Sequence, residues 1–306
     1  MGVGTDVLAV VPTLGASTLE AALASLRREG ATVEIVVVHQ GPGAPPPAAV
    51  TFADQIIELP RAVGFARAIN AGLAAREARL ALLLNDDAEL LPGWLEAVRA
   101  ALDAEPRAAA AQGVDLAADA SVASGCGIGW NRWWQAVQLG LGAPPPHGAA
   151  REVFGVSAAA ALFRLDALRA AARPDGVLDA MLDTYYEDVD LAARLRARGG
   201  TALLVPSARA LHGGGGSAAA LGGRRQRLLL GNRWLVLARL LGRALPRVVP
   251  RALVRDVADL GRHPSLAPGV VAGWMRALRL LPRFARLGPP LVPLEELRRL
   301  RAEAFA

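Results

Sequence analysis

The chain has 306 residues, 53% hydrophobic and 20% charged, which suffices for a real core and excludes a disordered polymer. All 34 basic residues are arginine against 28 acids, and the single cysteine, Cys126, excludes an intrachain disulfide framework and fits a reducing compartment. The charge is uneven: residues 1–220 hold 17 arginines against 23 acids, a net of −6, and residues 221–306 hold 17 against 5, a net of +12.

In chain order, Met1–Asp6 carries no basic run, so no secretory leader is expected. Asp6–Pro12 reads as a buried strand, and Ser17-Thr-Leu-Glu20 has capping-box form and opens a helix to Arg28. Glu34–Val38 is the second strand, followed by a loop over Gly41–Pro47, and Gln55–Leu59 is a short third. Gly64–Arg76 is helical, and Leu80–Leu84 is a fourth buried strand. Pro92 stands in the first turn of a helix to Ala104, and Ala108–Val114 is a fifth strand. Residues 121–150, with three tryptophans, give no clear period. Val153–Phe163 reads as a strand leading into a helix over Asp166–Ala172, Asp188–Arg198 as a helix, and Ala202–Val205 as a strand. Strands alternating with helices predict an α/β fold with a Rossmann-like, mostly parallel central sheet and flanking helices. After the Gly213–Gly216 run the chain is helical and arginine-rich. Arginines interrupt its apolar stretches, so no membrane span is expected.

Three places can carry chemistry. Asn85-Asp86-Asp87 follows the strongest strand, where open α/β sheets bind ligands, and adjacent carboxylates there can hold a hard divalent cation or simply cap the next helix. Glu187-Asp188-Val-Asp190 begins a helix; acids suit any first turn, and a carboxylate in a cleft also suits a general base. Tyr185 and Tyr186, just before it, either wall the same cleft or pack. His212 precedes Gly213–Gly216 and Ser217, a loop whose amides can close over phosphates, although no Walker pattern is present.

Taken in order, these pieces resemble family 2 glycosyltransferases of the GT-A fold, in their rhamnosyltransferase-like branch. The resemblance lies in Val7–Thr13, Gly64-Phe-Ala-Arg67-Ala-Ile-Asn70-Ala-Gly72-Leu, and Leu82-Leu-Leu-Asn85-Asp86-Asp87 through Pro92. It continues in Phe154-Gly155 with Arg164, Tyr186-Glu187-Asp188-Val-Asp190-Leu191, His212 and Gly231-Asn232-Arg233. It implies that Asp87 ligates Mg2+ or Mn2+, with a further metal or diphosphate contact from His212. It also implies that Asp86 lies near the ribose, beside Asn85, and that Pro12, Thr13, His39, Gly64, Arg67 and Asn70 line the nucleoside-sugar pocket. Asp188 matches the base of an inverting reaction, with Glu187 beside it. Relatives carry an acid and an asparagine after the second strand, where this chain has His39-Gln40-Gly41, and Asn85 replaces the first acid of the triplet. Residues 1–222 are then expected to form the nucleotide-sugar-binding catalytic domain, and 223–306 an appended arginine-rich helical segment.

The implied partners are a UDP- or dTDP-linked sugar and a glycan or lipid-linked acceptor of cell-envelope synthesis. A catalytically inactive sugar-nucleotide-binding scaffold is the alternative. A nucleic-acid partner is not expected, because no recognition module is present. Arg239, Arg243, Arg247, Arg251 and Arg255 recur every four residues, and Arg276, Arg279, Arg283 and Arg286 repeat a helical spacing. Broken by Pro246 and Pro250, these helices are expected to rest on an anionic membrane surface, which makes the protein cytoplasmic and peripheral; packing on the catalytic domain is the competing fate.

Overall fold

The computed structural model describes residues 5–30, 32–213, 223–284 and 288–301. The phosphate-loop expectation for Gly214–Gly216 and Ser217 lies outside these residues, as do residue 222 at the expected domain boundary and Arg286 of the basic stripe.

The strands are β1 (Thr5–Thr13), β2 (Val33–Gln40), β3 (Gln55–Leu59), β4 (Ala78–Leu84), β5 (Ala88–Leu90) and β6 (Ala108–Leu116). They continue as β7 (Ala123–Gly125), β8 (Ile128–Trp130), β9 (Ala136–Gln138), β10 (Arg151–Val153), β11 (Ala160–Arg164) and β12 (Thr201–His212). The central sheet runs in the order β10-β12-β6-β11-β4-β1-β2-β3, with β5 against β12 and β7 against β6. β4, β1, β2 and β3 are mutually parallel, as are β6 and β12, while β11 is antiparallel to both its neighbours. β8 and β9 form a separate hairpin.

Both faces of the sheet are covered, which is why its strands read as unbroken apolar runs. Val7, Ala9 and Val11 pack under α1 (Leu19–Arg28), α2 (Pro47–Phe52) and α4 (Trp94–Ala104). Leu8 and Val10 face the opposite way, toward α3 (Phe65–Leu73), α5 (Leu165–Ala171) and α6 (Glu187–Arg196), as a period of two requires.

Several expectations need correcting. The capping box does not form: Thr18 is the N-cap in right-handed conformation and makes no side-chain cap bond. The strand expected over Val153–Phe163 is two strands, β10 and β11, on different neighbours. Pro92 precedes its helix, which begins after Gly93. The short α2 lies beyond the expected loop, and no apolar period announces it.

The C-terminal part comprises α7 (Gly223–Leu241), a 3-10 turn over Gly242–Arg247, α8 (Val249–Arg262), α9 (Ala267–Phe284) and α10 (Leu294–Arg299). The break falls at Pro246, and Pro250 is accommodated in the first turn of α8. α7 and α9 touch through Gly231 and Gly273; a Cβ on Gly231 would come within 3.0 Å of the Gly273 carbonyl. Leu235, Leu237, Leu240, Leu241, Phe284 and Leu297 share a core with Trp130, Phe154, Tyr186 and Val189, so these helices pack on the sheet domain. The basic stripe is therefore split. Arg239 is buried, Arg255 pairs with Asp259 and Arg276 bonds Asn232, whereas Arg243, Arg247, Arg251, Arg279 and Arg283 are exposed. No helix among the described residues is long and apolar enough to cross a membrane.

Candidate active site

The carboxyl ends of β1, β2 and β4 meet at one edge. Register places Thr13 beside His39, and the Thr13 Oγ1 hydroxyl donates to Asp86 Oδ2 at 2.7 Å. Burial raises the Asp86 carboxyl above its ordinary range, and the Thr13 bond partly opposes that rise. Pro12 is buried at the same strand end. His39 is also buried, and its Nδ1 has no hydrogen-bond partner among the described residues, which leaves a polar atom for a ligand to meet. Gln40 Oε1 accepts from the Val63 amide at 3.0 Å and so fixes the loop that enters α3. At its end Gly64 has φ +89°, and a Cβ there would fall 1.9 Å from Asp183 Oδ1, so only glycine fits.

Arg67 is exposed one turn into α3. Asn70 departs from the pocket role expected of it. Its Oδ1 accepts from the Leu178 amide at 2.8 Å and its Nδ2 donates to the carbonyls of Leu178, at 2.8 Å, and Asp175, at 3.2 Å. The side chain is thereby committed to the 175–178 turn.

After Leu84 the chain turns sharply: the Ala88 amide donates to the Asn85 carbonyl at 3.2 Å, and β5 then pairs with the far end of β12. That pairing sets His212 opposite Ala88 and brings its Nε2 to 3.3 Å from Asp87 Oδ1. The Gly213 amide also donates to the Asp87 carbonyl, at 3.0 Å. Burial alone would lower the His212 pKa, but the Asp87 bond and the charges of Asp115 and Asp87 outweigh it and raise the ring's affinity for a proton. The same negative surroundings favour a divalent cation. The carboxylate oxygen suits Mn2+ or Mg2+ and the imidazole nitrogen fits Mn2+ better than the oxygen-seeking Mg2+, although two groups alone do not complete a shell. Among the described residues no cluster of three or more His, Cys, Asp or Glu could hold a metal.

Behind His212 lies Asp115, which sequence reasoning missed. It is fully buried, burial pushes its carboxyl up to about 7, and Oδ1 has no partner among the described residues. Gln112 stands next to it, donating to Asp115 Oδ2 at 3.4 Å and accepting from the Ser157 amide at 2.6 Å. The available signal was two polar residues within a strand buried along its whole length.

Glu187 and Asp188 open α6. Both carboxyls are raised, Glu187 well above its range, chiefly by burial and then by its charged neighbour. Burial pushes Asp188 up to about 6, against hydrogen bonds from the amides of Val189, Asp188 and Ala158. Glu187 Oε2 is a buried atom without a partner among the described residues. The Ala158–Ala159 pair links the two motifs: the Ala158 amide bonds Asp188, and the Ala159 carbonyl accepts from the Asn85 amide at 2.8 Å. Tyr186 packs, its hydroxyl accepting from the Ala136 amide at 3.3 Å.

The helix is entered through an unusual backbone. Asp183, Tyr185 and Tyr186 all have φ near +70°, and each left-handed non-glycine residue costs ~1–3 kcal/mol. Asp190 is not merely a helix-start acid. It is fully buried and pairs with Arg194 at 2.8 Å and Arg239 at 2.6 Å, and Arg239 also holds Asp179 at 2.8 Å.

An open α/β sheet with carboxylates and a histidine gathered past its strand ends has its polar groups where such sheets bind ligands. The sequence profile described as glycosyl transferase family 2 matches residues 9–168, more than half of the chain, and the chain belongs to that family. No curated protein sequence matches it. Solved structures give the same GT-A fold. S. aureus TarS 1–349 in complex with UDP-GlcNAc aligns at TM-score 0.59 and 13% identity, covering 97% of this chain and 84% of that one. The mannosyltransferase PcManGT from Pyrobaculum calidifontis, in complex with GDP-Man and Mn2+, aligns at 0.55 and 16%, covering 89% and 86%. GalNAc-T7 with UDP, GalNAc and Mn2+ aligns at 0.57 and 13%, covering 79% of this chain and 49% of that one, so this chain spans about half its length.

Proposed function

We propose that this chain is an inverting, metal-dependent glycosyltransferase that moves a sugar from a nucleoside-diphosphate sugar to a hydroxyl of a glycan or lipid-linked acceptor in cell-envelope polysaccharide synthesis. The observation that carries the reading is the Ala158–Ala159 link, through which Asp188 and the Asn85–Asp87 turn bond adjacent residues. Pro12, Thr13, His39 and Asp86 then line the nucleoside side, with Gly64, Arg67 and Asn85 at its margin. Asp87 and His212 would hold a divalent cation, Mn2+ or Mg2+, which when bound neutralises negative charge on the diphosphate. Asp188 takes the proton of the acceptor hydroxyl; that oxygen bonds to the anomeric carbon as the carbon–oxygen bond to the diphosphate breaks. Glu187, beside Asp188, orients or contacts the acceptor. Relatives with UDP, UDP-GlcNAc and GDP-Man widen the donors worth testing beyond UDP- and dTDP-sugars.

We further propose that residues 1–222 carry the catalysis and that 223–306 serve a cytoplasmic protein held peripherally on an anionic membrane. Support for the latter is the set of exposed apolar side chains on α8 and α9, beside exposed arginines. The test is a panel of UDP-, dTDP- and GDP-sugars with and without Mn2+, scored by thermal shift and nucleotide release. Mn2+-dependent release from at least one donor is expected, and the absence of any metal-dependent shift or release overturns the reading.

A further inference from the structure

The turn that leads into Glu187–Asp188 holds three left-handed residues, Asp183, Tyr185 and Tyr186, and none is glycine. Its Thr184 amide reaches back only two residues, to the Leu182 carbonyl at 2.9 Å, so the local backbone supplies little of its own support. The support comes from α7. Asn232 is fully buried there, and its Nδ2 donates to the carbonyls of Leu182 at 2.7 Å, Thr184 at 3.0 Å and Tyr185 at 2.8 Å. Three carbonyls converge on one amide nitrogen only when the segment is coiled as observed. The amide cannot swivel, because Oδ1 accepts from Arg276 Nε at 3.3 Å and Nη2 at 3.2 Å, and Arg276 also donates to the Met181 carbonyl.

We propose that Asn232 is a positioning residue for the Glu187–Asp188 carboxylates, acting through the Asp183–Tyr186 turn and touching no reacting atom. Relaxing Tyr186 to an ordinary φ would swing the N-cap of α6 and re-aim both acids, whose side chains leave the first turn. The same turn faces the donor side: the Asp183 carbonyl accepts from the Ala66 amide at 3.0 Å, and a Cβ on Gly64 would strike Asp183. One clamp on α7 therefore sets the spacing between the loop entering α3 and the base. The inference rests on the reading of Asp188 as the base.

Asn232→Asp is the informative variant, since it keeps the shape and the acceptor for Arg276 and loses the donors to the three carbonyls. Leu102→Ala serves as the control, a fully buried position of α4 in the core on the opposite face of the sheet from α6. Hydrogen exchange on the whole chain should show residues 182–190 exchanging at least ~10-fold faster in Asn232→Asp, with β1 and β4 unchanged. With whichever of UDP-GlcNAc or GDP-mannose supports turnover, kcat should fall at least ~10-fold while KM and Mn2+-dependent UDP affinity hold. Leu102→Ala should lose stability without that kcat-only pattern. Unchanged exchange overturns the clamp, and faster exchange with full kcat, in an enzyme that Asp188→Asn inactivates, overturns the positioning role. If Asp188→Asn keeps turnover, the base assignment fails separately, and exchange alone decides the clamp.

Discussion

Arg239, a residue of the C-terminal helix α7, lies 2.6 Å from Asp190, two positions after Asp188 in the helix that opens the candidate active site. The same guanidinium holds Asp179 at 2.8 Å and stacks 3.4 Å from the centroid of Phe284. Two buried carboxylates, which also hold Arg194 and Arg173, thus share one cation from a segment that its composition marks as an appendage. Arg239→Ala should destabilise the chain by ~1.5–3 kcal/mol, because it removes charge-assisted hydrogen bonds from two buried carboxylates. Arg243→Ala, four residues on and exposed, should fall within ~0.5 kcal/mol of the parent. Urea unfolding of both variants checks this, and equal losses would mean that the buried contact contributes nothing.

The sheet was legible because β1, β2, β3 and β4 are apolar runs of strand length bounded by turn residues, and the Asn85–Asp87 and Glu187–Asp188 motifs stand at the element ends where the reading put them. β5 was not legible: three residues, Ala88–Leu90, become a strand only because β12 is long enough to reach them, and that contact brings His212 to Asp87. Asp115 and the role of Asn232 were opaque for the same reason: Asp115 acts on His212, and Asn232 on carbonyls more than forty positions away. Arginine periodicity misled because spacing along a helix does not say which side meets the core; Arg239 and Arg243 share the stripe and have opposite fates.

Asp87→Asn tests the cation site. Asn has the shape of Asp and keeps an oxygen to face His212, so the fold should survive. Mn2+-dependent UDP affinity should fall at least ~10-fold, about 1.4 kcal/mol, with UDP binding in chelator unchanged. Calorimetry with and without MnCl2 reads both, and equal affinity for the parent and variant with Mn2+ would remove Asp87 from the site.

The pH dependence follows from Asp188. A base works ionised, and burial pushes this carboxyl up to about 6. Turnover should therefore be flat above that pH and fall ~10-fold per unit below it. Asp188→Asn should abolish transfer and leave donor binding intact. Stability runs the opposite way: a carboxyl raised in the fold contributes most when protonated, and that contribution is lost as pH rises from its ordinary range through about 6. Asp188→Asn should accordingly gain stability relative to the parent on going from pH 4 to pH 8. A gain of the same size at both pH values would contradict the raised carboxyl.

The last prediction concerns the outer face of the C-terminal helices. On α8, Leu253, Val254 and Val257 are 40%, 57% and 59% exposed, and on α9, Val271, Met275 and Leu278 are 52%, 57% and 68% exposed. Spacings of three and four residues align each set along one helix side, opposite the side that packs on α7 and the sheet domain. Arg251, Arg279 and Arg283 stand exposed beside them. Exposed apolar stripes edged by arginine match the interface of an anionic bilayer, where side chains enter the acyl boundary and guanidinium groups meet phosphate. Deleting the segment is the wrong test, because it would also remove Arg239 from Asp190. Val254→Asp with Leu278→Asp is cleaner, since those side chains are largely solvated and their loss should leave the unfolding curve in place. The parent should co-sediment with phosphatidylglycerol vesicles, release as salt is raised, and ignore phosphatidylcholine; the double variant should stay in the supernatant. A parent chain that ignores anionic vesicles, or binds neutral ones equally well, refutes the membrane role and leaves these stripes without the lipid partner proposed for them.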